Sequence, residues 1–491
     1  MLGDQLNRRV GALADATPAD TRVLLVESAA AKGSRPIHRQ RLHLVVTAMR
    51  RFAEELRSAG FEVDHRSAST LVAGLDAHRD EHRPDRVRVT EPLSWSMLHA
   101  LDARADVELV RSDQFLCHPD DFARWIDGRG RTRMEDFYRW QRTRLGYLMD
   151  GDEPAGGRWN FDHENREPPP EGDAPWPTPP RSRLDDLDRE VLAALPDSAF
   201  GGDPDGWWPT SRRAALARLD HFVTAVLPHF GPHEDAMLGR DWHLAHSLLS
   251  PALNLGLLLP GEVADRAEEA YRAGDVPIAS AEGFIRQIIG WREYVWGRYW
   301  LHMPEWLDHN VFGNDAPVPP AYRGETDTHM ECLATALDGV QTRGWVHHIQ
   351  RLMVLASFAN MAGVHPRALM DWMQVSFVDG AEWVMVPNVI GMATWADGGT
   401  MATKPYVSGG AYINRMSDHC RDCRYDPKKR TGPDACPFTT LYWDFLARNR
   451  ERLSGNHRMA QPLKGLDRLS DLDETRDRAA EVLELLATGD L

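Results

Sequence analysis

Between residues 22 and 115 the apolar positions come in short runs separated by amphipathic stretches. Val23-Leu24-Leu25-Val26 is an unbroken apolar run, the pattern of a strand buried on both faces. From Leu42 to Leu56 the apolar residues Leu42, Val45, Val46, Met49, Phe52 and Leu56 share one face at helical spacing, and Gly60 supplies a stop. Phe61–Val63 and Val87–Val89 predict further strands. Alternation of this kind predicts a parallel α/β layer over residues 1–125, which binds small ligands at the carboxyl ends of its strands. The opening L-G-D-Q-L reads as a loop following a strand that the chain does not contain.

The pattern then changes twice. Residues 126–210 read as a connector, rich from 150 onward in Pro, Gly and Asp (E-P-P-P-E-G-D-A-P-W-P-T-P-P), with the aromatics of G-G-R-W-N-F-D expected to dock on a neighbour. From 211 to 491 the periodicity is helical, so the second domain is predicted all-α. One helix places Phe284, Ile288, Trp291, Val295 and Tyr299 on a face, with Ser280 as N-cap and Glu282 in its first turn. Another, W-V-H-H-I-Q-R-L-M, sets His347 and Arg351 one turn apart and His348 on the adjacent face. The longest apolar run, Leu253 to Pro260, is short and holds Asn254 and Gly256, so no membrane span or membrane partner is expected.

Composition narrows the setting. A chain of 491 residues with five cysteines and no export-type leader fits a reducing cytoplasm. The net charge of -16 argues against coating a polyanion over the whole surface. It leaves room for one basic face, built from Arg415, Arg421, Arg424, Lys428, Lys429 and Arg430 with Arg286, Arg292, Arg298, Arg343 and Arg351 in the helices before them. Seventeen tryptophans exceed what packing usually needs, and indoles also relay single electrons.

Four cysteines carry the most specific chemistry. Cys420-x-x-Cys423 is a bidentate pair, Cys436 precedes Pro437, and Cys332 is a distant fourth ligand, a spacing that suits an iron-sulfur cage; zinc also satisfies it. Cys117 is read as a packed thiol. His246-Ser247-Leu248-Leu249-Ser250 offers hydroxyls and amides to a phosphate. Asp379 and Asn388, in a run of apolar residues, either hydrogen-bond a flat heterocycle or cap helices.

Taken together, these segments resemble the photolyase/cryptochrome superfamily, in its iron-sulfur bacterial branch that contains the prokaryotic (6-4) photolyases. The resemblance runs through L-G-D-Q-L, A-M-R-R-F-A-E-E-L, G-G-R-W-N-F-D, D-A-M-L, H-S-L-L-S, G-F-I-R-Q-I-I-G-W-R-E-Y, H-H-I-Q-R-L-M, P-N-V-I-G-M, T-K-P-Y and Y-I-N-R-M-S-D-H-C. It implies an antenna-type N-terminal domain and a helical domain holding FAD, with a [4Fe-4S] cluster on Cys332, Cys420, Cys423 and Cys436. Ser247, Leu248, Leu249 and Ser250 would meet the flavin phosphates, and Arg351, Asp379 and Asn388 its ring. His348 and His347 are the implied proton donors, Trp291 and Tyr406 face the lesion, and Tyr412, Lys404 and Arg415 meet the DNA. Asp235 would help hold a divalent cation such as Mg2+, and Trp372 would relay electrons. The antenna pigment implied is 6,7-dimethyl-8-ribityllumazine.

The chain departs from that pattern in places. Counting from Glu27, Ala31 stands where the family places an acid on the lumazine. Met373 replaces a tyrosine beside Trp372, Y-R-G-E-T lacks the distal tryptophan, and Met385 stands where some relatives have an acid near the flavin. The expected function is light-dependent reversal of (6-4) pyrimidine-pyrimidone photoproducts in UV-damaged DNA by a monomer. A cyclobutane-dimer specificity, a blue-light photoreceptor of the same fold and a light-independent iron-sulfur module that binds nucleic acid are the alternatives; the flavin-side segments discriminate against the last.

Overall fold

The apolar runs become four strands. The computed structural model describes residues 1–29, 35–130, 132–170, 172 and 176–491. Its N-terminal part alternates β1 (Arg22–Ser28), α1 (Arg39–Ser58), β2 (Glu62–Ala68), α2 (Leu71–His82), β3 (Val87–Thr90), α3 (Trp95–Asp102) and β4 (Val107–Val110). The strands pair in parallel, β1 with β2 and β3 with β4. The expected single layer is not formed among the described residues: the two pairs are separate sheets. Between them runs a groove of about 730 Å3 whose lining includes Met1, Leu2, Val23, Val26, Val87 and Val89. The Met1 amine donates to Leu24 O at 3.0 Å at its edge.

Packing explains the split. The β1 side belongs to the main core through Val23, Leu25, Leu44, Phe52 and Leu56. Leu75, Val89 and Leu101 form a second, smaller cluster over the β3–β4 pair. Gly74 allows α2 to lie against β1, because a Cβ there would stand 2.6 Å from Val26 Cγ1. The L-G-D-Q-L segment is a loop at the carboxyl end of β3, as its sequence suggests. Gln5 Nε2 donates to Glu91 O at 2.8 Å, and Leu6 N donates to Leu255 O at 2.8 Å, which ties the N-terminal part to the helical one.

An aromatic box makes the second tie. Phe115 stacks on Trp296 with centroids 4.0 Å apart and meets Trp383 edge-on, while Arg292 lies 4.6 Å over the Phe115 ring. The connector is partly helical, with helices at Met134–Leu145 and Asp186–Ala193. Trp159, within G-G-R-W-N-F-D, lies beneath the Arg139 and Arg142 guanidiniums.

From Arg212 on, helix follows helix. The stretch containing Trp291 starts earlier than expected, at Ile278 after Pro277, so Ser280 is not its N-cap. Instead the Ser280 hydroxyl accepts from Gly231 N at 3.0 Å, and Glu282 is a buried acceptor for Tyr138 and for Phe161 N. Among the described residues no helix is long and apolar enough to cross a membrane.

Candidate functional site

Three π-wound stretches position three of the expected residues. Trp291 lies in Arg286–Arg292, Arg351 in Gln350–Ala356 and Asn388 in Val386–Ala393. Such wide turns displace side chains from α-helical register and collect at functional sites. Arg351 donates through both terminal nitrogens to Asp379, at 2.9 and 3.2 Å, and its guanidinium lies 4.2 Å over the Phe377 ring. Ser250 Oγ donates to Asp379 Oδ2 at 2.6 Å, and Asn254 Nδ2 donates to Asp379 O at 3.0 Å. Asp379 is thus the node joining H-S-L-L-S to Arg351, and not a helix cap. Leu248 and Leu249 bury their side chains and can offer a ligand only their backbone. Leu248 holds a φ of 55°, a left-handed conformation rare for leucine and typical of strained functional loops. Asn388 Nδ2 donates to Val384 O at 2.7 Å.

A histidine cluster adjoins this node. His347 is buried and stacks on His246 with centroids 4.6 Å apart and planes 15° from parallel. His348 meets His246 edge-on at 5.4 Å. Both ring nitrogens of His347 and Nε2 of His246 are buried without a hydrogen-bond partner. Burial holds both of these imidazoles neutral, well below their ordinary pKa. His348 differs, with half its side chain exposed and Nε2 3.5 Å from Asp235 Oδ1. Its surroundings penalise the charge, but the Asp235 contact and the nearby Glu234 outweigh that and raise its pKa. Glu234 accepts from Gln287 Nε2 at 2.8 Å, and burial lifts its pKa to about 7.

Tyr406 and Tyr412 lie within the field of Asp235, and burial raises both phenols, Tyr412 to about 12. Arg166 acts on the same two tyrosines. Arg415 reaches over Tyr412 at 5.6 Å, and Lys404 and Arg415 are exposed. Trp291 is half-buried and edge-on to Tyr294 at 6.4 Å. Glu234 and Arg166 had no distinguishing sequence signal beyond standing beside Asp235 and beside the G-G-R-W-N-F-D segment.

The basic face contracts. Arg286 is buried against Glu282 and Asp162, Arg298 is buried on Tyr294, and Arg292 is enclosed in the Phe115 box. Those three arginines satisfy interior acids and rings, and they do not present charge to a polyanion. Lys429 and Arg430 are held by Asp434 and Asp471. Lys428 donates its backbone N–H to Asp426, and Lys428, Arg421 and Arg424 are all exposed.

The four cysteines converge as expected. Cys332, Cys420, Cys423 and Cys436 line one cavity with Tyr425 and Phe438, and all are free thiols. Burial, reinforced by the neighbouring sulfurs, raises Cys332 far above an ordinary thiol and Cys420 to about 12. Four such groups ionise together only around a strongly positive centre. Gly410 completes the cradle, since a Cβ there would come within 3.0 Å of Cys436 Sγ. Cys117 is a packed thiol, fully buried and raised to about 12 by burial.

Trp372 connects the two regions. Its Nε1 donates to Tyr322 O at 2.9 Å, and its ring lies 5.0 Å from the Tyr322 ring. Tyr322 is fully buried, donates its hydroxyl to Leu355 O at 2.8 Å and feels the charge of Cys332. Y-R-G-E-T, the segment that lacks the distal tryptophan, thus still contributes an aromatic ring, Tyr322, against Trp372. On the other side, Trp372 lies 6.2 Å from Phe377, the ring beneath Arg351.

The residues present fit the two groups that the sequence resemblance implies. The unpartnered ring nitrogens of His246 and His347, in the field of Arg351, are polar atoms that a bound flavin could satisfy, and the four-thiol cradle matches the donor set of an iron-sulfur centre.

Comparison with known proteins agrees. A family described as "Deoxyribodipyrimidine photo-lyase-related protein" matches residues 1–201. A protein named "(6-4) photolyase" from Agrobacterium fabrum is 42% identical over 503 aligned residues, spanning 99% of both chains. An uncharacterised protein of Acanthamoeba polyphaga mimivirus is 29% identical over 133 residues, 27% of this chain and 94% of its own. A crystal structure of a bacterial class III photolyase from Agrobacterium tumefaciens superimposes with a TM-score of 0.58 at 16% identity, over 99% of this chain and 97% of that one, and supports the fold. The chain belongs to the photolyase/cryptochrome superfamily, in the branch of the bacterial (6-4) photolyases.

Proposed function

We propose that the protein reverses (6-4) pyrimidine-pyrimidone photoproducts in UV-damaged DNA, using light absorbed by a bound FAD. The observation that carries this reading is the His348–Asp235 pair: a half-exposed imidazole whose pKa the carboxylate raises, with Tyr406 and Tyr412 in the field of the same Asp235. Reversal of this lesion returns a hydroxyl from one base to the other and needs a proton donor at that face.

FAD, when bound, supplies the light-driven one-electron chemistry. Ser247 and Ser250 with the Leu248 and Leu249 backbone would hold its phosphates, and Arg351, Asp379 and Asn388 its ring. A lesion must leave the helix to reach the site, and Trp291, Tyr406 and Tyr412 would receive the extruded bases by stacking. Lys404 and Arg415 would hold phosphates beside the opening. His348 would donate the proton from Nδ1, the ring nitrogen that does not face Asp235, Asp235 would orient the ring through Nε2 and favour its charged form, and His347, neutral and buried, sets the wall behind it. A divalent cation such as Mg2+ would be held through Asp235. Cys332, Cys420, Cys423 and Cys436 would hold a [4Fe-4S] cluster.

The proposal extends to a monomer working in the cytoplasm, with residues 1–125 as an antenna domain for 6,7-dimethyl-8-ribityllumazine. Ala31, which bears on that pigment, lies outside the described residues. Protein purified without oxygen and illuminated with reductant and DNA bearing a defined (6-4) lesion tests the reading. Lesion loss confined to illuminated samples is expected. Flavin photoreduction without lesion loss would favour a photoreceptor instead, and loss of cyclobutane dimers alone would change the substrate.

A further inference from the structure

We infer that Asp64, His78 and His82 form a binding site for one divalent cation of the zinc class, where the C-terminal end of α2 meets β2. His78 and His82 are four residues apart, so both imidazoles leave the same face of α2. Their centroids are 4.7 Å apart. Asp64 projects from β2 between them: its Oδ2 lies 2.5 Å from His78 Nδ1 and 3.6 Å from His82 Nε2. One ligand atom from each of the three lies within 4.8 Å of the other two. Two imidazoles and one carboxylate are a donor set that zinc takes when a position is left for water.

The surroundings favour a cation. The carbonyl end of α2 carries partial negative charge, and His82 is its last residue. His78 and His82 also line the groove between the two sheets, which gives an ion and its water a route in. The ligands stand on a helix and a strand: Gly74 of α2 closes on Val26 of β1, which pairs with β2, and on Ala68 of β2 itself, so their convergence does not depend on a loop. Arg66 is the competitor, since its Nε donates to Asp64 Oδ1 at 2.9 Å and its Nη2 reaches Oδ2. That same Nη2 is 2.9 Å from Glu81 Oε2, so Arg66 keeps a partner when a cation takes Asp64 Oδ2. The cation replaces the His78–Asp64 hydrogen bond as the tie between α2 and β2, and it is separate from the four-cysteine cavity.

The test is equilibrium dialysis of the full-length holoprotein against Zn2+ alone, with zinc and iron counted per chain by mass spectrometry. His82→Ala and Asp64→Asn are measured beside the wild type. His82 is near the surface, with 22% of its side chain exposed, so its truncation leaves the core intact; flavin absorbance and melting without zinc verify this. The wild type should hold one zinc that both variants bind about tenfold or more weakly. Zinc should raise the melting temperature of the wild type and not of His82→Ala. Arg66→Gln, which removes the competing cation, should bind more tightly. Equal zinc content and affinity in all these proteins, or zinc lost in His348→Ala and retained in His82→Ala, overturns the assignment.

Discussion

His347 and His348 are adjacent in sequence and equivalent in residue type, and their surroundings shift them in opposite directions. His347 is buried against His246 and held neutral, while His348 faces Asp235, which raises its pKa. His348→Ala is expected to lower repair at least 100-fold, on the order expected for a general acid, with flavin content unchanged; comparing lesion loss with flavin absorbance checks both. Because the His348 pKa is raised, the competent protonated form persists above the ordinary histidine range and is lost as pH rises through the raised value. Asp235→Asn removes the raising contact, so the alkaline limb of the repair profile should move to lower pH. Tyr322 is the ring that Trp372 packs on. Trp372→Phe should slow flavin photoreduction strongly, and Tyr322→Phe should slow it less, because the ring contact survives and the phenol is lost; transient absorption reads both. At this scale the sequence named most of the residues that the structure gathers around Asp379 and Asp235, because residue type carries the signal. It could not tell which histidine is solvated, nor that Tyr322 packs on Trp372, because both depend on how distant helices meet.

The elements show a different balance. The α1 face, the β1 run and the helical character after residue 211 follow from periodicity alone. β4 is short and only partly buried, so no strong apolar run marks it. The π-wound stretches that carry Trp291, Arg351 and Asn388 leave no periodic signature, since each replaces one or two turns within a longer helix. Ser280 resembles a cap by type and position, yet Pro277 starts the helix earlier and turns the serine inward. The docking of the N-terminal sheets on the helical region rests on pairs far apart in sequence, above all Phe115 between Trp296 and Trp383. Phe115→Ala should cost about 3–5 kcal/mol, as for other buried aromatic truncations, and urea melts monitored by tryptophan fluorescence would register it. Loss of the Arg292 contact should accompany it.

For the whole molecule, buried carboxyls set the response to pH. Glu293 is fully buried, accepts from Cys117 N at 2.7 Å and has its pKa lifted by burial to about 8. A folded-state pKa above the unfolded value means that its contribution is fully present below about pH 4.5 and is lost as pH rises through about 8. The melting temperature should therefore fall between neutral and mildly alkaline pH, and Glu293→Gln should flatten that fall. The interior arginines explain why a sequence with a net charge of -16 displays a smaller basic surface than its arginine count suggests. The groove between the two strand pairs has its own consequence. Its lining mixes the valines of β1 and β3 with Arg22, Glu62, Arg86 and Arg88. In concentrated solution those charges work against self-association there, since an apolar strand added at the groove would have to bury them.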